Sequence, residues 1–304
     1  MKAVRIHSFG GPEVLRLEEV AIPKVDHSSV LLKVRAASVN PVDYKIRSGQ
    51  FPMITQRELP VTLGRDVCGV IQGEDPDSEF MALLDWGAGG YAEYVAVPRA
   101  LCVPRPAGLS MEDAAAVPLA AMTAWQGLFQ YGALQRGQRV LIHGASGGVG
   151  HFAVQFAAHC GAQVFATASR NNIEFVRDLG ASKIIDHERE RFENEVPEVD
   201  LVFDLVGGAT RERSWPLLHP GGTLVSTLGQ PDAGQAARYK VRAVGYMTEA
   251  DGGQLGQIAS LIDAGAVHPI VSKVFALAEA AAAQRHLEHD HPRGKIVLTV
   301  NASG

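Results

Sequence analysis

Cysteine is scarce in this chain: only Cys68, Cys102 and Cys160 occur in 304 residues, far apart and with no C-x-x-C pair. That spacing excludes a disulfide framework and suits reduced thiols in a cytoplasmic protein. Basic blocks are missing as well. With a net charge of -5, nucleic acid is excluded as the main partner. The long uncharged run from Ala114 to Gln135 carries Pro118, Gln126, Gln130 and Gly132, which makes it a poor membrane span and a good buried helix. The opening residues MKAVRIHSFGGPEVL lack the apolar core of a signal peptide and read as a first strand and turn. Low-complexity tails and internal repeats are absent. What remains is an ordinary globular composition, 46% hydrophobic and 20% charged, in a chain long enough for two cores.

The stretch from Val140 to Cys160 reads as a buried strand, a glycine-rich turn and an amphipathic helix in succession. Val140, Leu141 and Ile142 form an apolar run suited to a strand covered on both faces. Val149, Phe152, Ala153, Phe156, Ala157 and Cys160 then recur at helical spacing, and Gly161 stands where a C-cap falls. Between them Gly144, Gly147 and Gly150 leave a turn almost without side chains, so N–H groups at the helix start approach a pyrophosphate closely. Against the dinucleotide fingerprint G-x-G-x-x-G, the segment Ala145-Ser146-Gly147-Gly148-Val149-Gly150 fits with alanine in the first glycine place. The position about 20 residues on, where an acid grips the ribose of NAD, falls near Thr167, and no acid is there. Ser169 and Arg170 come next instead, a hydroxyl and a guanidinium suited to a ribose 2′-phosphate, so the expected cofactor is NADPH. In the alternative reading Ser169 caps the next helix and Arg170 is solvated.

Up to about residue 110 the texture is β-rich. Val30, Leu32, Val34 and Ala36 alternate with Leu31, Lys33 and Arg35, and further strands are predicted at Lys2 to His7, Val14 to Val20, Val67 to Gln72 and Tyr91 to Val97. A helix over 112–131 then leads into the nucleotide unit. Strands near 163–168, 183–186, 199–206 and 223–229 alternate with helical segments, as a doubly wound parallel sheet requires. A helix at 253–264, the segment Pro269 to Phe275, a last helix around Ala280 and a strand Gly294 to Val300 close the chain. The expected architecture is α/β: a Rossmann domain over 113–265, and a β-rich substrate domain over 1–112 completed by 266–304. The substrate cleft is expected between them, at the carboxyl ends of the parallel strands.

Several motifs give this order a family likeness. Asn40-Pro41-Val42-Asp43-Tyr44-Lys45-Ile46-Arg47-Ser48-Gly49, Gly64-Arg65-Asp66-Val67-Cys68-Gly69, Gly90-Tyr91-Ala92-Glu93-Tyr94-Val95, Thr123-Ala124, the GASGGVG turn and the final RGKIVL resemble the medium-chain dehydrogenase/reductase superfamily. Within it they are most similar to the zinc-free quinone oxidoreductase group related to zeta-crystallin and to the enone reductases. The resemblance implies a GroES-like fold for the β-rich domain, a homodimer, and hydride transfer from NADPH to a quinone or an α,β-unsaturated carbonyl compound. One departure stands out: between Gly69 and Tyr91 the family has a longer segment with a Gly-Asp-x-Val turn, so one wall of the substrate domain is trimmed here.

Zinc-dependent relatives place a cysteine in the early loop and a histidine in a G-H-E motif, because tetrahedral Zn²⁺ takes thiolate and imidazole ligands. Here the loop Asn40 to Asp43 has no cysteine, Arg65 stands in the histidine place, and three cysteines cannot make a four-cysteine lobe. His286, His289 and His291 read as a solvated helix end. No metal is expected. The chemistry then falls to donors aimed at the carbonyl oxygen on which charge develops. Lys45 is the leading candidate, steadying the nicotinamide ribose or donating toward the enolate, with a surface lysine as the alternative. Asn40 is a second, unless it only bonds its own backbone. Tyr44 lines the pocket or donates a proton, Asp43 and Arg47 pair to hold the loop, and Phe51 and Met53 supply an apolar wall.

For the cofactor, the resemblance puts Thr123 at the nicotinamide half, unless its hydroxyl bonds the preceding turn, and His187 at the adenosine side. Val206 and Leu228-Gly229 end two strands where short side chains let the cofactor pass. Tyr246 and Met247 are candidate neighbours of the nicotinamide or substrate. A different class of reading is a non-catalytic NADPH-binding sensor or structural protein, since fold does not fix function.

Overall fold

The computed structural model describes residues 1–300, and residues 301–304 of the expected C-terminal return lie outside them. The chain divides into two units. One comprises Met1–Leu119, Ala250–Gly265 and the chain from Pro269 onward; the other comprises Ala120–Glu249 and Ala266–His268. The borders expected from sequence fall at 112/113 and 265/266, and the segment Ala250–Gly265, which holds helix Gly252–Asp263, accounts for most of the difference. That helix packs on strand Val103–Pro104, and Asp263 accepts a hydrogen bond from the N–H of Ala107 at 3.0 Å.

In the second unit six parallel strands lie in the order Lys183–Asp186, Gln163–Ala168, Arg139–Ile142, Val199–Asp204, Leu218–Ser226, Arg242–Gly245. In chain order this is 3-2-1-4-5-6, the doubly wound arrangement in which ligands meet the carboxyl ends of the strands. Val140, Leu141 and Ile142 are wholly buried, so the central strand is covered on both faces. Around the sheet Phe165, Phe192, Val202, Trp215 and Leu224 form one apolar cluster. Each such side chain, once fully buried, contributes on the order of 2 kcal/mol. The last strand, Arg242–Gly245, gave no sequence signal: four residues with one apolar β-former are too short to show a period.

The first unit is antiparallel apart from its final pair. A seven-stranded sheet centres on Ser29–Val39, which pairs with Asp66–Ile71, Tyr94–Pro98 and Lys295–Thr299. Three short strands, with Lys2–Ile6 in the middle, form a second sheet. The helix predicted over 112–131 is broken into Met111–Ala115, Pro118–Trp125 and a π-helical turn Gln126–Tyr131. Proline explains the break, because Pro118 has no N–H to give the preceding turn and restricts Val117, yet suits the first position of a new helix.

Candidate active site

The glycine turn follows the central parallel strand directly. Gly144 takes the left-handed φ of +71°, so the residue that needs glycine's freedom stands one place before the fingerprint, and Ala145 fits behind it, fully buried. Gly150 opens helix Gly150–Cys160; a Cβ there would sit 2.2 Å from the carbonyl oxygen of Gly144. Ser146, Gly147, Gly148 and Val149 remain accessible between these two buried points. A turn of bare backbone at the amino end of an eleven-residue helix therefore faces outward, which suits a pyrophosphate.

The next strand ends at Ala168, and the residues just beyond it are tied to the glycine turn. The side-chain amide of Asn172 donates to the hydroxyls of Ser146 and Ser169, both at 3.1 Å. Ser169 occupies the N-cap position of the short turn Arg170–Asn172, but its side chain caps no N–H. Arg170 is exposed and pairs with no carboxylate among the described residues. His187, also exposed, ends the neighbouring strand, and its N–H donates to the carbonyl of Ala168 at 3.2 Å. Thr167 itself turns inward: its hydroxyl meets Nδ1 of His143 at 3.1 Å and accepts from the N–H of Gly144 at 3.4 Å. Burial pushes the His143 imidazole down to about 4, so it is neutral and braces Thr167 to Ser214.

Three exposed apolar side chains mark the other half of the sheet edge. Val206, Leu228 and Met247 are 50%, 38% and 48% exposed, one beyond each of the last three parallel strands. Asp204, which sequence reasoning missed, shapes this rim: its carboxylate accepts from the N–H groups of Val206 and Gly207 and from the hydroxyl of Ser226. An acid ending an apolar strand before two glycines was the available signal. Gly229 has a φ of +88° just beyond Leu228. Thr123 is buried, with its hydroxyl 2.6 Å from that of Thr248. Tyr246 is less available than expected, because its ring packs on Tyr131 and its hydroxyl donates to the Thr123 carbonyl.

In the first unit the candidates gather at helix Pro41–Arg47. Asn40, expected to face the substrate, is committed to the interior. Its amide donates to Asp66 at 2.8 Å and to the Ser38 hydroxyl at 3.4 Å, and its oxygen accepts from the ammonium of Lys295. Asp43 accepts from the N–H of Asn40 and from the hydroxyl of Tyr91, each at 2.8 Å. The expected Asp43–Arg47 pair is not formed: Arg47 binds Glu288 and Gln284, because the last helix, Ala280–His289, lies alongside and offers the closer carboxylate. Burial pushes Asp43 up to about 6. Burial also lowers Lys295, which the nearby Asp66 and Asp43 charges oppose.

Tyr44 and Lys45 are half-buried, and neither side chain has a partner among the described residues. Burial, then the charge of Glu288, raises the Tyr44 phenol. Arg65 is buried and donates twice to the carbonyl of Leu84. Among the described residues no three His, Cys, Asp or Glu side chains are grouped to hold a metal ion. The missed residues Lys295, Asp66 and Asn172 act through contacts that no local spacing announces.

Residues 26–82 match the family described as alcohol dehydrogenase GroES-like domain, and residues 179–298 the family described as zinc-binding dehydrogenase. The chain is 33% identical, over an alignment of 353 positions, to the NAD(P)H oxidoreductase RTN4IP1, mitochondrial, of Mus musculus, covering 99% of this chain and 89% of that one. To the NADPH-dependent alkenal/one oxidoreductase, chloroplastic, of Arabidopsis thaliana it is 32% identical over 319 positions, covering 98% and 79%. The solved quinone oxidoreductase from Coxiella burnetii superposes with a TM-score of 0.90 at 33% identity over 99% of both chains.

Proposed function

The chain belongs to the medium-chain dehydrogenase/reductase superfamily, in its quinone oxidoreductase group, and from that premise we propose that it is a zinc-independent, NADPH-dependent reductase of quinones or α,β-unsaturated carbonyl compounds. That it is an oxidoreductase using a nicotinamide cofactor follows from the relatives. The choice of NADPH is carried by one observation: Arg170 stands unpaired beside Ser169, where a ribose-binding acid is missing, and Asn172 ties Ser169 to the glycine turn. His187 closes the same corner.

When bound, NADPH supplies the hydride. The protein must then meet the charge that grows on the acceptor's carbonyl oxygen. Lys45 and Tyr44 are the donors proposed for it. The raised Tyr44 phenol keeps its proton at neutral pH, and the Lys45 ammonium is not spent on a carboxylate. Asn40 takes a different role from the one expected, positioning the start of their helix through Asp66 and Lys295. Arg65 in the histidine place supports the reading without zinc, since a buried cation repels a metal ion there.

The names of the Arabidopsis and Coxiella relatives carry the two acceptor classes. The proposal includes a homodimer, as the family resemblance implies, and a cytoplasmic location, which the free thiols of Cys68, Cys102 and Cys160 suit.

The test is oxidation of NADPH by chelator-treated protein with a flat ortho-quinone and with a short-chain enone, NADH run beside it. Turnover that prefers NADPH is expected, and Lys45→Met should lower kcat by about 100- to 1000-fold, the range of a lost donor at a developing oxyanion. Tight NADPH binding with no turnover on either acceptor overturns the reading in favour of a sensor or structural protein.

A further inference from the structure

Arg211, on helix Gly208–Ser214, is a cation that the fold leaves without an acceptor. Its side chain is only 19% exposed, and its Nε and Nη1 are buried with no hydrogen-bond partner among the described residues. The carboxylate of Glu212 lies 3.8 Å from Nε, too far for a hydrogen bond, and its other oxygen accepts from the indole N–H of Trp215 at 3.2 Å. Arg213 on the same helix is fully committed: it binds both oxygens of Glu193 and lies over the ring of Phe192. A guanidinium shut off from water without acceptors costs folding free energy, so its presence calls for a ligand that supplies them.

The helix fixes where that cation sits. It starts at the carboxyl edge of the parallel sheet, just beyond Asp204 and Gly207, and runs inward to Ser214, whose hydroxyl lies 2.9 Å from Nε2 of His143. Nδ1 of the same imidazole meets Thr167, two residues before Ser169. Arg211 stands three residues before Ser214, hence on the same side of the helix and about 4.5 Å nearer its start, and helical side chains lean toward that start. Ser169, in extended backbone, lies about 6.6 Å beyond Thr167 in the same direction. Arg211 and Ser169 thus come level at the sheet edge. His187 joins them there, its N–H on the carbonyl of Ala168.

We propose that Arg211 is a second cation of the cofactor corner and holds the ribose 2′-phosphate of NADPH from the face of the sheet opposite Arg170. The strands run outward in opposite directions from Arg139–Ile142. Right-handed crossovers then put Ile173–Asp178, the helix that follows Arg170, and the helix of Arg211 on opposite faces. A phosphate between two guanidinium groups gains charge-assisted hydrogen bonds from both, and NADH has no group to offer them. The inference rests on the NADPH reading above and deepens it.

Binding titrations with NADPH, NADH and adenosine 2′,5′-bisphosphate test it without turnover. Arg211→Met, which keeps the bulk of the side chain but no donor, should weaken NADPH and the bisphosphate by about 10- to 100-fold and NADH by less than about threefold. Arg211→Lys, which keeps the charge without the planar fork, should give intermediate losses. Equal losses for NADPH and NADH, or unchanged NADPH binding, overturn the proposal.

Thermal unfolding without cofactor supplies a readout that a merely structural arginine would move. Because Nε and Nη1 of Arg211 bond nothing in the fold, Arg211→Met should melt within about 3 °C of wild type or above it. A larger fall marks a structural guanidinium and overturns the site. A preference for NADPH that persists in Arg211→Met removes Arg211 alone and leaves the NADPH reading standing, whereas wild-type protein that binds NADPH no tighter than NADH overturns both. Bisphosphate binding that depends on Arg211, in a protein that reduces neither acceptor, upholds the site and overturns the reductase reading alone.

Discussion

Lys295, on the last described strand, donates its ammonium to the amide oxygen of Asn40, 255 positions away, and to the carbonyl of Val39 at 3.2 Å. The same ammonium lies 3.7 Å from the carboxylate of Asp66, and both are buried. The end of the chain thus holds the start of the helix that carries Tyr44 and Lys45. Removing the cation leaves a buried acid uncompensated. Lys295→Met should therefore cost about 3–5 kcal/mol of unfolding free energy, read from urea denaturation; a loss under about 1 kcal/mol would mean that the pair contributes no net stability.

Asp43 gives the first unit a signature in its pH dependence. It faces Tyr91, Asn40, Asp66, Lys295 and Arg65, and burial raises it from an ordinary carboxylate value to about 6. Between about pH 4 and 6 the folded state holds a proton that the unfolded state has released. This contribution is full below the unfolded value and is lost as pH rises through the folded one, on the order of 2–3 kcal/mol in all. Asp43→Asn retains an acceptor for Tyr91 but no longer titrates. Wild-type stability relative to Asp43→Asn should fall across this window, and parallel curves would contradict the assignment.

Arg170→Ala should weaken NADPH by about 10- to 100-fold and NADH by less than about threefold, because only the 2′-phosphate uses the guanidinium. Dissociation constants from cofactor titration decide it, and equal losses would remove Arg170 from the 2′-phosphate site.

Asn172→Ala acts differently. It releases the glycine turn from Ser169 by deleting two hydrogen bonds from one amide. Both cofactors should weaken together by about 3- to 10-fold. A selective loss of NADPH would instead place Asn172 on the phosphate itself.

Gly150→Ala puts a methyl group 2.2 Å from the carbonyl of Gly144. Backbone cannot yield as a side chain can, so the turn should shift, at a cost of about 1–3 kcal/mol in thermal unfolding with a marked loss of cofactor affinity. Unchanged binding and melting would show that the turn absorbs the methyl.

Much of the second unit was legible because its signals are local. Strands 163–168 and 183–186 were predicted with the ends observed, since apolar β-branched runs between helices carry their own punctuation. The glycine turn was readable for the same reason. The edge strand Arg242–Gly245 was not, and neither was the break at Pro118, where an unbroken apolar texture hid a change of helix.

The sequence by itself determined the strand–turn–helix unit, the alternation that makes a doubly wound sheet, and the missing acid that points away from NAD. These are properties of neighbours in the chain, fixed by periodicity and by glycine's freedom at Gly144. Only the tertiary structure decided that Asn40 faces inward, that Arg47 takes Glu288, and that Trp86 meets Phe51 and Arg65. Those pairings depend on which side chains the sheet brings together after long excursions of the chain. A buried charge selects its partner by proximity and desolvation, and neither is written in local spacing.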